Sequence, residues 1–119
     1  MDIKKIVNAF KKNNYQVSYF ETAAAAADYL DHEINQTTVA FGDSQTLLSM
    51  GLYEKLSAHN MVYDPKHGED FFKTARDGMQ AEFFVTSVNG ATEDGILVNL
   101  DGTGNRVAGS LYGHLKVYL

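Results

Sequence analysis

The chain has 119 residues, 45% of them hydrophobic and 21% charged, which suits one folded domain and excludes a disordered segment. Ten Lys+Arg against fifteen Asp+Glu give a formal charge of -5, which argues against a large basic surface for nucleic acid. No apolar run approaches the roughly 20 residues of a membrane span, and with no cysteine these residues offer no disulfide, thiolate nucleophile or cysteine-held iron–sulfur or zinc site.

Met1-Asp-Ile-Lys-Lys5 opens the chain with no apolar leader behind it, so a cytoplasmic protein is expected. Ile3, Ile6, Val7 and Phe10 recur at i, i+3, i+4 and i+7, the stripe of an amphipathic helix that Asn13-Asn14 would stop. Tyr15–Phe20 alternates and is rich in aromatic and β-branched residues, which predicts a short strand. Thr22 would cap a helix from Ala23 to about Ile34, whose alanines allow close packing on a sheet. Thr37–Phe41 reads as a buried strand running into Gly42-Asp43-Ser44-Gln45-Thr46, then a short helix ended by Gly51 and a second helical piece, Leu52–Ala58. Met61–Tyr63 is the next strand, and Asp64-Pro65 turns the chain. Asp70 would cap a helix through Gln80, buried through Phe71, Phe72, Ala75 and Met79, and strand Glu82–Val88 follows.

Helices and strands alternate to this point, which predicts a parallel sheet with crossovers. Only Asn89–Gly95 separates strand 82–88 from strand-like Ile96–Leu100, whereas a parallel crossover takes a dozen or more residues. The 96–100 strand is therefore expected to be antiparallel to its neighbour or to lie outside the main sheet. A glycine loop, Asp101–Gly104, leads to a helix over Asn105–Tyr112 and a last strand, Lys116–Leu119. No repeat, linker or charge block marks a second domain, so residues 1–119 read as one.

Three segments place glycine and polar groups where a parallel sheet presents its ligand crevice, beyond the carboxyl ends of the strands. In the first, Gly42 lets a ligand approach a helix start, and Ser44 and Thr46 add hydroxyls for phosphate or carboxylate; the plainer reading is a turn and a helix cap. The second, Thr86–Gly95, carries Asn89, Thr92 and the adjacent carboxylates Glu93 and Asp94, which read either as an acid/base pair or as an Asp-Gly hairpin turn. In the third, Asn99–Arg106, Gly102 and Gly104 flank Thr103, and Arg106 could fork onto a ligand anion or pair with Asp101 or Glu93. Asp94, Asn99 and Asp101 lack the spacing of a calcium loop. The four histidines are scattered without a metal-ligand spacing and are expected at solvated positions, while Tyr15, Tyr19 and Tyr29 are expected in the core.

Taken in order, Val39–Leu52 (VAFGDSQTLLSMGL), Ala75-Arg76 with Ala81–Val88, and above all Thr92–Val107 (TEDGILVNLDGTGNRV) resemble the LUD (lactate utilization) domain family. The resemblance implies a fold similar to the NagB/RpiA/CoA-transferase superfamily: an α/β protein, a three-layer α/β/α sandwich with a Rossmann-like, mostly parallel sheet and one antiparallel strand. It implies that Gly42, Ser44 and Thr46 cradle an anion, with Glu93 or Asp94 as the acid/base. Asn99, Asp101, Asn105 and Arg106 would shape the far wall, and Asn89, Thr92, Gly102 and Gly104 would complete the ligand-binding set. Asp43 stands where the family usually has a second glycine, which narrows the cradle or repels an anion. Family members typically continue past the strand matching Lys116–Leu119, so the resemblance implies a shortened domain whose terminal strand a second copy or a partner covers.

The resemblance further implies a component of a system oxidising L-lactate to pyruvate, with electrons carried by iron–sulfur partner subunits and no metal or cofactor held here. Three readings follow: a binder of a small anionic metabolite acting with partners; an isomerase or transferase on a sugar phosphate or acyl-CoA using Glu93 or Asp94; and a non-catalytic interaction module.

Overall fold

A computed structural model of the chain describes residues 1–119. Helix α1 (Ile3–Lys12) opens the fold, its first turn capped by Asp2, whose carboxylate accepts the Lys5 N–H at 3.1 Å. Asn14, left-handed at φ 70°, ends it where the Asn pair predicts. The next segment differs from expectation. Tyr15–Phe20 pairs with no strand; instead Tyr15 meets Phe10 of α1 edge-on at 5.5 Å, and Phe20 meets Tyr29 at 5.2 Å. Alternating aromatics suit a strand only where a sheet face accepts them, and here neighbouring helices do so instead. Tyr15 and Tyr19 are accordingly exposed and Tyr29 half-buried, rather than core residues.

Helix α2 (Ala23–Glu33) starts under the Thr22 cap and leads to β1 (Thr38–Phe41). Two short helices, α3 (Gln45–Ser49) and α4 (Leu52–Ser57), precede β2 (Met61–Tyr63). Helix α5 (Phe71–Gly78) then leads to β3 (Phe83–Val85). The chain leaves the sheet at Thr86, three residues sooner than the alternation predicts, and forms a hairpin of β4 (Gly90–Ala91) and β5 (Leu97–Val98). Helix α6 (Asn105–Leu111) and β6 (Lys116–Tyr118) complete the chain.

The main sheet is wholly parallel, in the order β2-β1-β3-β6, and β4 pairs with β5 antiparallel in a separate two-stranded sheet. The four residues between β3 and β4 are too few for a crossover, and the chain instead turns back on itself as the β4–β5 hairpin.

Successive strand residues face opposite layers, and the sequence loads each layer differently. Val39, Phe41 and Val85 point to one side, where Ala27 and Ile34 from the α2 region, Leu47 of α3 and Leu52 and Leu56 of α4 bury them. Ala40 and Phe84 point to the other side, toward Ala81 and the helices α5 and α6. There glycine permits close approach: an added Cβ at Gly78 would lie 2.9 Å from the Ala40 Cβ, and one at Gly109 2.6 Å from the Phe84 ring. The result is three layers, helix on sheet on helix. No helix is long and apolar enough to cross a membrane.

Strand β1 is followed in space by β2 on one side and β3 on the other. The connections leaving β1 and β3 therefore run to opposite sides, and a crevice opens between them beyond their carboxyl ends.

Candidate functional site

The crevice holds a cavity of about 200 Å³. Asp43 enters it from the loop after β1, Asn89 from the segment after β3, and Asp101, Gly102, Thr103, Asn105 and Arg106 from the third segment. Three separate stretches thus converge, the first of them distant in sequence from the other two, and Arg106 is where they meet. Its Nη1 donates to the Asp43 carbonyl at 3.2 Å; its Nη2 donates to Asn89 Oδ1 at 2.7 Å and to the Leu100 carbonyl at 3.5 Å. Asn89 Oδ1 also accepts the Leu100 N–H at 2.8 Å, so one amide oxygen ties the third segment to the second.

Gly42 makes this convergence possible from below. It is buried, its N–H donates to the Val85 carbonyl at 2.9 Å, and a Cβ there would meet Thr86 and the Arg106 Cγ at 2.8 Å. The glycine lets protein, rather than a ligand, approach the backbone.

Charge in the hollow is unevenly compensated. The Asp43 carboxylate lies 3.3 Å from Lys66 Nζ, an ion pair without hydrogen-bond geometry, since Oδ1 is buried and accepts no hydrogen bond. Asp101 Oδ2 accepts the Val107 N–H at 3.0 Å and so caps α6, whose N-terminal Gly104, left-handed at φ 91°, offers no side chain for that purpose. Partial burial pushes the Asp101 carboxyl up. The N–H groups of Val107, Arg106 and Gly104 and the Arg106 charge outweigh it and hold the carboxyl below the usual carboxylate range. Arg106 itself has no carboxylate within 4.0 Å. Its three bonds go to neutral oxygens, and its buried Nε has no acceptor.

Other residues singled out by the sequence lie elsewhere. Ser44 is buried; its hydroxyl accepts the Leu47 N–H at 3.3 Å and bonds Ser87 Oγ at 2.8 Å, so it caps α3 and links the loops after β1 and β3. Thr46 and Asn99 are exposed and outside the cavity. Thr92 Oγ1 accepts the Ile96 N–H at 3.0 Å within the hairpin, and the Gly95 N–H bonds the Thr92 carbonyl at 3.2 Å. Glu93 and Asp94 sit at that turn, both exposed, with Glu93 3.8 Å from Lys5 of α1. The Thr92 hydroxyl, followed by a backbone N–H, holds the Asp94 carboxyl below its usual range. Neither carboxylate lines the cavity.

Phe71, Leu100, Thr103 and Lys66 complete the surroundings without having been singled out. A signal for Phe71 existed: a crossover helix begins at the carboxyl end of the preceding strand, so the residue after the Asp70 cap had to face this crevice. Phe72, expected to be buried, is 60% exposed. Three histidines are engaged rather than solvated: His59 bonds Asp31 at 2.6 Å, His67 bonds the buried Asp64 at 2.8 Å while stacking on Tyr53, and His114 bonds the Ala81 carbonyl at 2.7 Å beneath Phe84.

With this geometry in place, the comparisons with known proteins are specific on one point. The family model described as the LUD domain matches residues 3–116, so the chain belongs to the LUD domain family, which is associated with lactate utilization. No curated protein and no solved structure matches the chain significantly.

Proposed function

We propose that this LUD-domain chain binds a small anionic metabolite, a carboxylate or a phosphate, in the cavity at the carboxyl ends of β1 and β3. One observation carries the reading: Arg106 lines that cavity with its charge opposed by no carboxylate within 4.0 Å. A guanidinium carries five N–H donors, and three protein bonds leave two of them unmatched; one is on the buried Nε, and the other, on Nη1, is the one an anion's oxygen would take. Asn89, Thr103 and Asn105 would add neutral polar contacts. Asp43 opposes an anion less than its formal charge suggests, because Lys66 faces it.

Within a lactate-oxidising assembly the chain would hold or hand over the acid, and iron–sulfur partner subunits would carry the electrons. With no cysteine, this chain supplies no thiolate for a cluster. A partner subunit or a second copy would cover edge strand β6, beside which Tyr112, Leu115 and Leu119 stand exposed. Light scattering that shows monomers at high concentration would remove the second copy from this reading.

The test is thermal unfolding with phosphate, L-lactate and pyruvate. A ligand at ten times its Kd adds about 1.4 kcal/mol, or about 6 °C for a domain of this size. Arg106→Ala should abolish the shift. If no anion moves the melting temperature at millimolar concentration, the chain is better read as an interaction module.

A further inference from the structure

A second hollow, of about 320 Å³, adjoins the polar cavity and shares Phe71, Thr103 and Asn105 with it. Its chemistry is different. Phe71, Phe72, Ala75 and Met79 line it from α5 and its C-terminal end, and Ala108 lines it from α6. Phe72 lies 60% exposed, with its ring 5.4 Å edge-on from Phe71, so an aromatic surface is held in water. An apolar patch of this kind on a helix otherwise carrying Lys73, Arg76 and Asp77 calls for an occupant.

We infer that the anion held at Arg106 carries an unbranched apolar tail, and that the groove between α5 and α6 receives it: the ligand class is an aliphatic monoacid longer than lactate. This rests on the anion site proposed above and goes beyond it. Continuity fixes the occupant, since Phe71, Thr103 and Asn105 belong to both hollows and an acid seated at Arg106 has its remaining carbons directed along shared walls. Arg76 also lines the groove. A tail ending in a second carboxylate is therefore the competing chemistry, and the test separates the two.

The experiment is calorimetric titration of the full chain with acetate, butyrate and hexanoate, adipate as the six-carbon dicarboxylate, and 1-hexanol as an uncharged control. Each methylene buried should tighten binding about twofold to fourfold, the lower figure applying to a groove open on one side. Hexanoate should then bind roughly 16- to 250-fold tighter than acetate, with 1-hexanol failing to bind. Phe72→Ser, at an exposed position, should lower the hexanoate-to-acetate ratio at least about fourfold, and Ala108→Trp should do the same by filling the groove. Equal affinities for acetate and hexanoate would overturn the tail while leaving the anion site standing. Adipate binding tighter than hexanoate would overturn it in favour of Arg76. If acetate, hexanoate and phosphate all fail to bind, the anion site itself falls and the tail with it.

Discussion

Gly42→Ala tests whether close approach of separate segments is what holds Arg106 over the cavity. The added Cβ would overlap Thr86 Oγ1 and lie 2.8 Å from both the Thr86 Cβ and the Arg106 Cγ. Residue 42 cannot withdraw easily, because its N–H is bonded to the Val85 carbonyl at 2.9 Å. Thr86 is 4% exposed and directly follows β3, so its Cβ moves only with the strand end. Overpacking of this kind costs about 1–3 kcal/mol, which for a domain of this size lowers Tm by roughly 4–12 °C. The flexible partner is Arg106, and moving it weakens its bonds to the Asp43 carbonyl and Asn89. The phosphate-induced shift should therefore shrink along with Tm. Thr86→Ala removes the hydroxyl overlap, so the double variant should recover at least about 0.5 kcal/mol relative to additivity. Gly102→Ala is the stability control: its added Cβ meets nothing within 4 Å, and a change under about 0.5 kcal/mol is expected. Urea unfolding with an unchanged m-value would measure the parent and the four variants. If Gly42→Ala melts within about 1 °C of the parent, or shows no coupling to Thr86, the account of the convergence is wrong.

Ser44→Ala should cost about 1 kcal/mol through the lost α3 cap, yet leave the phosphate-induced shift intact, because Ser44 is bonded to Leu47 and Ser87 and does not line the cavity. Loss of ligand response in that variant would return Ser44 to the anion cradle. Glu93→Gln should change neither stability nor ligand response, since its contact with Lys5 is a long, exposed ion pair; a loss of turnover in any assay with a candidate substrate would contradict this. Asp101→Asn should separate from the parent in a pH-dependent way. The folded carboxyl lies below its ordinary value of 3.8, so its stabilising effect is complete above that value and is lost as pH falls through the lower folded one. Urea midpoints of parent and variant should differ at pH 6 and draw together as the pH falls below 3.8; a constant gap would mean that capping by charge is not at work.

The fold was legible where periodicity and length constrained it together. The stripe of α1, the Thr22 and Asp70 caps and the alternation of helices with strands all appear where the residues place them. The short spacer after β3 excluded a parallel crossover, and the hairpin is antiparallel and apart from the main sheet. What failed depended on partners the local sequence does not name. Tyr15–Phe20 has strand-like composition, but no strand edge lies beside it, and its aromatics lean on α1 and α2 instead. Three of the four histidines differ from expectation for the same reason: His67, for example, has its place because Tyr53 arrives from α4 to stack on it beside the buried Asp64, while His32 is exposed as expected.

The site shows the same division more sharply. Glycine and polar residues after β1 and β3, and before α6, mark segments that converge on one cavity, because a parallel sheet reversing its order between β1 and β3 exposes their carboxyl ends. Which side chains in those segments stay available was decided by competition among hydrogen-bond partners. Ser44 and Asp101 are both good ligand groups by chemistry, yet each is taken by an N–H of the helix it precedes. Asp43 gives its carbonyl to Arg106 and its carboxylate to Lys66, a residue whose relevance depends on the fold bringing the β2 connection alongside. Helix starts consume the oxygens nearest to them, and so the group left without a counter-charge in the cavity is the cation. Arg106 has no use in capping, and no carboxylate lies close enough to neutralise it. That is why the proposed anion site rests on an arginine one residue inside a helix rather than on the hydroxyls and carboxylates that precede it.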